Sequence, residues 1–255
     1  MLSVNHLKKS FGGITAVKNC SFEVQGGSIT ALIGPNGAGK TTVFNIVTGF
    51  MRQDHGEIFF NNKNIDELPS HKRAALGIAR TFQTIRLFPK MTVLENLLLA
   101  MPNTKEQWYH AFQNSALKKI EEENKKVALT WLSFVGLHAK IDEAAGNLSY
   151  GQQKLLEIAR ALCRSPKLLM LDEPAAGVNP AMLKKIGELL TKLKQQGMTI
   201  LFIEHDMEFV MGIADKIIVL DYGEEIAIGK PVEIQKNQRV IDAYLGVGGG
   251  LENHD

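Results

Sequence analysis

The sequence predicts an α/β domain carrying an inserted helical subdomain, and three observations support this. Short, strongly apolar runs at Ile29–Ile33, 168–171, Thr199–Ile203 and 216–220 suit parallel strands buried on both faces. They alternate with stretches of helical periodicity, the pattern of strands joined by crossover helices. Over 92–136 the texture changes to long helical patterns, LENLLLA and KKIEEENKKVALTWLSFVGL, with no strand-like run among them.

In chain order, 21–24 and 56–60 read as strands on the N-terminal side. Gly26-Gly27 forms a turn between the first of these and Ile29–Ile33. A helix over 42–48 follows a glycine-rich loop. Residues 1–90 and 155–245 are expected to form the α/β core and 91–154 the insertion. In NLSYGQQKLLEIARAL, residues Leu155, Ile158, Ala159 and Leu162 recur at helical spacing, while Lys154, Glu157, Arg160 and Arg164 line another face. This reads as an ordinary amphipathic helix. Ser149 as its N-cap and Gly151 beside open backbone N–H groups make an anion site, yet no buried strand leads into it. Asp221-Tyr222-Gly223-Glu224 reads as a hairpin turn into a strand over 225–228. The stretch 246–255 reads as a mobile tail.

Bulk properties exclude several function classes. Of the 255 residues 45% are hydrophobic and 22% charged, and the net charge of +2 argues for neither nucleic acid nor an anionic membrane surface. Cys20 and Cys163 lack metal-ligand spacing, which suits a reducing compartment. The longest apolar runs are strand-sized, short of the ~20 residues that span a bilayer, and no secretory h-region opens the sequence.

Chemistry gathers first at Gly34-Pro35-Asn36-Gly37-Ala38-Gly39-Lys40-Thr41, a complete phosphate-binding pattern between a strand and a helix that continues with Thr42. Its glycines let successive N–H groups cradle phosphate oxygens, Lys40 reaches the β- and γ-phosphates, and Thr41 ligates Mg²⁺. Asp172 and Glu173 end the strand over 168–171. Beside a phosphate loop, Asp172 suits Mg²⁺ and Glu173 suits the general base of hydrolysis; alone they would read as acids at a solvent edge. His205 in FIEHDM can donate to the γ-phosphate, although a lone His at a strand end is more often structural. Gln83, where core passes to insertion, can touch both Mg²⁺ and water.

In that order the phosphate loop, Gln83, Leu148-Ser149-Tyr150-Gly151-Gln152, Asp172-Glu173 and His205 resemble the ATP-binding subunits of ABC transporters. The resemblance implies a P-loop NTPase (RecA-like) core with an N-terminal antiparallel β subdomain and an all-helical insertion, in one cassette over 1–255. It implies ATP and Mg²⁺ as cofactors, Phe11 stacking on adenine unless it is a core Phe, and Ser149, Gly151 and Gln152 closing on ATP bound to a second subunit. RTFQTIRLFPKMTVLENLLLA, GQQKLLEIARAL, DEPAAGVNP, IEHDM and VIDAYLG further resemble LivG-type subunits of branched-chain amino-acid importers. From this follow transmembrane permease subunits, a LivF-like sister cassette or a second copy of the chain, and indirectly a periplasmic or lipid-anchored solute-binding protein. The place implied is peripheral, on the cytoplasmic face of the inner membrane. Urea or amide import, lipopolysaccharide export and clamps on DNA or ribosomes are the alternatives, the last lacking the usual coiled coils or paired cassettes. Asn179 stands where many members carry Asp. The segment 85–91 offers apolar groups and a Pro where the family places a short cytoplasmic helix of the permease; the alternative packs Leu87 and Phe88 inside the insertion.

Overall fold

The computed structural model describes residues 1–101 and 114–245. Helical readings within 102–113 and the expected tail at 246–255 lie outside them. Strands β1 (Leu2–Phe11) and β2 (Ile14–Val24) form an antiparallel hairpin turned by Gly12 and Gly13, both at positive φ. The sequence reading reached only the last third of β2 and missed β1. Register shifts after Val4, Leu7 and Lys9 break the two-residue alternation that would have revealed the strand. β4 (His55–Phe60), expected from 56–60, pairs with β1, and β5 (Lys63–Asn64) extends that edge.

The parallel strands are β3 (Ile29–Ile33), β6 (Ile78–Arg80), β7 (Leu168–Asp172), β8 (Thr199–Ile203) and β9 (Lys216–Asp221). Every residue of β3, β7 and β8 is buried, as continuous apolar runs require. β6 is too short to stand out in a sequence; it forms as a parallel edge against β7. Tyr222 and Gly223, both at positive φ, turn β9 into the antiparallel β10 (Glu224–Gly229), which links the two halves through Glu224 beside Asn19. One ten-stranded sheet results, in the order β5-β4-β1-β2-β10-β9-β3-β8-β7-β6. The expected α/β class with an antiparallel N-terminal part is what forms.

Alternation along the strands divides the core. Leu32, Leu168, Met170, Leu201 and Ile203 pack with Phe44 and Val47 of α1 (Lys40–Val47) and with the N-terminal strands. Ile29, Ala31, Ile33, Leu169 and Leu171 face the other core, which holds α6 (Pro180–Gln195), α7 (Met207–Ile213) and the inserted helices. A short α2 (Ser70–Ala75) precedes β6, while α8 (Pro231–Gln235) and α9 (Gln238–Leu245) close the chain. In the insertion, α3 (Val93–Leu98) starts on a Thr92–Glu95 capping box and packs with α4 (Asn114–Val135) and α5 (Tyr150–Leu162) around Leu97, Leu132 and Leu155. α5 runs across residues 154 and 155, so one rigid helix belongs to both insertion and core. Among the described residues no helix is long and apolar enough to cross a membrane.

Candidate functional site

The site begins where β3 ends. Gly34 has φ 147°, and a Cβ there would lie 2.0 Å from the carbonyl oxygen of Leu220. Gly39 has φ 96°, and its Cβ would meet the Ala16 carbonyl at 2.4 Å. Both positions therefore demand glycine for space as well as for conformation. Ala38 N–H donates to Pro35 (3.2 Å), folding the loop back onto α1. No side chain caps α1, so its N-terminal N–H groups and dipole are available to an anion.

Lys40 is 6% exposed, and its Nζ donates to the carbonyls of Gly34 (2.7 Å) and Pro35 (2.9 Å). Burial lowers its pKa, while the carboxylates of Glu173 and Asp172 oppose that fall. The loop residues from Asn36 to Thr42 line an open cleft of about 450 Å³ whose rim is completed by Phe11, Gln83, Glu173 and His205. That volume is within the range of small-molecule sites. Phe11 ends β1 and is 43% exposed, so it is no core residue.

Across the cleft Glu173 is held at φ +51°, a strained position for a non-glycine residue. Its carboxylate lies between two partners: Oε2 accepts from Gln83 Nε2 (3.1 Å) and Oε1 faces His205 Nε2 (3.1 Å). The three residues expected to act in chemistry thus form one cluster, with His205 on Glu173 itself. Asp172 is set back from the rim, within electrostatic reach of Lys40. It is 3% exposed at the end of β7, and its Oδ2 accepts from Arg80 Nη2 at 2.8 Å. Among the described residues Oδ2 takes the side-chain hydrogen bond of this carboxylate, and Oδ1 is not one of the fully buried, unpartnered atoms. Arg80 was missed in the sequence, where one cation in GIARTFQ carries no periodic or spacing signal.

The donors fit Mg²⁺ in character. No group of three His, Cys, Asp or Glu residues that could cage a metal occurs among the described residues. Mg²⁺ does not need one, since it is bound through one or two carboxylates, a hydroxyl, water and phosphates. Oδ1 of Asp172 and the hydroxyl of Thr41 meet that requirement.

Ser149, Gly151 and Gln152 lie apart from this cleft, at the start of α5. There the Ser149 hydroxyl accepts from Gln152 N–H (3.4 Å) while Gln152 Oε1 accepts from Ser149 N–H (3.0 Å). This capping box occupies donors that an anion would have to take over. A Cβ at Gly151 would lie 2.7 Å from Met182, so glycine lets α5 approach α6.

The expected amphipathicity of α5 needs correction. Lys154 and Glu157, assigned to its polar face, are only 3% and 2% exposed. Lys154 Nζ donates to the Glu173 carbonyl (2.9 Å), and Glu157 Oε1 accepts from Arg86 N–H (3.4 Å). Burial pushes the Lys154 pKa down and the Glu157 pKa up. Helical periodicity distinguishes polar from apolar and cannot distinguish a solvated charge from a buried, bonded one. Asn179 caps α6, accepting from Met182 N–H at 2.9 Å ahead of Pro180. Asp would cap equally well, so capping by itself does not select Asn at this position.

A phosphate-cradling loop at the end of a buried parallel strand, facing an acid held by an amide and an imidazole, defines a P-loop nucleotide hydrolase. The profile of the ABC transporter family matches residues 17–176, and that of the branched-chain amino acid ATP-binding cassette transporters matches 224–249. The chain belongs to the ABC transporter family as one of its ATP-binding subunits. As such it binds ATP and is an ATPase coupled to transport. It is 46% identical over 249 residues to the high-affinity branched-chain amino acid transport ATP-binding protein LivG of Salmonella typhimurium, covering 96% of this chain and 98% of that one. A crystal structure of the ADP conformation of an ABC transporter cassette superposes with a TM-score of 0.85 at 36% identity, covering 96% and 98% of the two chains. A dimeric cassette bound to ADP and phosphate matches with a TM-score of 0.75 at 28% identity, covering 91% and 99%.

Proposed function

We propose that this subunit hydrolyses MgATP to drive branched-chain amino-acid import through separate membrane permease subunits. The Gln83–Glu173–His205 cluster facing the phosphate loop carries the chemical part of this reading. The phosphates lie in the loop from Gly34 to Thr42 against Lys40, and adenine stacks on Phe11. Thr41, Asp172 and Gln83 would hold the cation, which when bound neutralises charge on the phosphoryl oxygens. Glu173 accepts the proton of the attacking water, and His205 and Gln83 keep its carboxylate turned to the cleft. The full-length likeness to LivG proteins supports the solute.

Ser149, Gly151 and Gln152, outside the lining of their own cleft, complete the site of a second cassette placed head to tail. That cassette is a LivF-like sister, the pair sits on the cytoplasmic face of the membrane, and a periplasmic or lipid-anchored binding protein delivers solute to the permease subunits they drive. Nucleotide-free protein should be monomeric. With ATP, the Glu173→Gln variant should self-associate weakly and pair more tightly with the sister, as read by light scattering. A tight homodimer that refuses the sister would overturn the heteromeric pairing.

The permease meets the groove between Phe50, His71, Phe82 and Arg164, together with the adjoining loop from which Phe88 projects at 48% exposure. The backbone N–H of Phe88 is fixed by Asn96 (2.9 Å), and Leu87 packs against the core, so only one of the two apolar residues is free. Phe88→Ser should abolish co-purification with the membrane subunits and leave ATP binding intact. Retained co-purification would remove Phe88 from the interface. Co-purification of the unaltered chain from its native membrane tests the transport assignment itself, and recovery of ribosomes or DNA instead would overturn it.

A further inference from the structure

Arg80 makes more bonds than a structural ion pair explains. Its guanidinium donates to Asp172 Oδ2 (2.8 Å), to Asn45 Oδ1 (2.6 Å) and to Thr48 Oγ1 (3.2 Å). It therefore joins the strand end that bears Asp172 to the helix behind the phosphate loop. Three aromatic rings surround it, Phe44 at 5.6 Å, Phe50 at 5.9 Å and Phe82 at 5.1 Å. Phe50 and Phe82 meet edge to face at 5.5 Å, and Phe50 is 57% exposed in the groove described above.

Stability alone does not account for this arrangement. Both partners of the Arg80–Asp172 pair are almost fully buried, at 6% and 4% side-chain exposure. An apolar pair of similar volume is often as stable as a buried ion pair. Arg80 Nε is moreover buried without a hydrogen-bond partner, a cost that a purely structural arginine would avoid.

We propose that Arg80 is a positioning residue for Asp172. It holds one carboxylate oxygen so that the other is presented to the cation, and it ties that orientation to the aromatic pair at the floor of the groove. Pressure on Phe50 and Phe82 then reaches the cation site through one rigid planar group. The proposal rests on the MgATP reading of the cleft, and the experiment separates the two.

Equilibrium titration of ADP, with and without Mg²⁺, on the full chain isolates the effect of the metal from that of the phosphate loop. Arg80→Met should leave metal-free ADP affinity unchanged and reduce the enhancement by Mg²⁺ by ~10–100-fold, the usual cost of removing a partner of a metal ligand. Arg80→Lys keeps the charge but loses the planar fork, so it should recover only part of that enhancement. Phe50→Ala, at an exposed position, should lower the enhancement by less than the ~10-fold lower bound of the direct loss at Arg80. If Arg80→Met fails to fold, Arg80→Lys and Phe50→Ala carry the measurement. Unchanged Mg²⁺ dependence in folded variants would reduce Arg80 to a structural pair and overturn the proposal. Failure of the unaltered chain to bind ADP at all would instead overturn the nucleotide reading beneath it.

Discussion

Glu173→Gln should lower ATP hydrolysis by ~10²-fold or more while leaving ATP binding in place. The amide has the shape of the carboxylate, and its oxygen can still accept from Gln83 or His205, so the cluster keeps its geometry. What disappears is the basic oxygen that takes the proton of water. The ATP-loaded head-to-tail pair should consequently accumulate. Steady-state phosphate release compared with nucleotide titration decides this, and turnover near that of the unaltered chain would remove Glu173 from the role of base.

Lys40→Ala should act on the earlier step. Lys40 is the cation buried in the loop, and truncating one member of a buried hydrogen-bonded charge pair costs about 2–5 kcal/mol. ATP affinity should therefore fall by ~10²-fold, equivalent to about 3 kcal/mol. The fold should survive, because Nζ bonds only the carbonyls of Gly34 and Pro35 at the loop rim. A nucleotide titration showing unchanged affinity would place the phosphates elsewhere. The same lysine gives a pH test. Burial lowers its pKa and the Glu173 and Asp172 carboxylates raise it again. Phosphate binding needs the charged form, so affinity is lost as pH rises through that pKa. Glu173→Gln removes one opposing carboxylate, and the loss of affinity should begin at lower pH than in the unaltered chain.

Elements held by local chemistry were legible without coordinates. The all-apolar runs of β3, β7 and β8 could only be strands buried on both faces, and the glycines of the phosphate loop could only serve a left-handed, closely approached backbone. The turn at Tyr222-Gly223 announced itself through Gly223, which takes positive φ freely, although Tyr222 beside it is also held at φ +42°. Elements held by distant partners were not. β1 is interrupted by shifts of register, and the three residues of β6 become a strand only because β7 offers them an edge.

The site divides along the same line. By itself the sequence determined the chemistry available: a loop for phosphate, acids after a strand, an imidazole at another strand end, an amide where core passes to insertion, and a capped helix apart from them. These follow from residue type and spacing, which are local properties of the chain. Only the tertiary structure decided that His205 and Gln83 grip the same carboxylate, that Lys154 reaches from α5 to the Glu173 carbonyl, and that Asp172 pairs with Arg80, 92 positions away in sequence. Such pairings depend on which strand ends meet across the sheet and on the burial that makes a charge seek a partner, and both arise only when distant segments pack together.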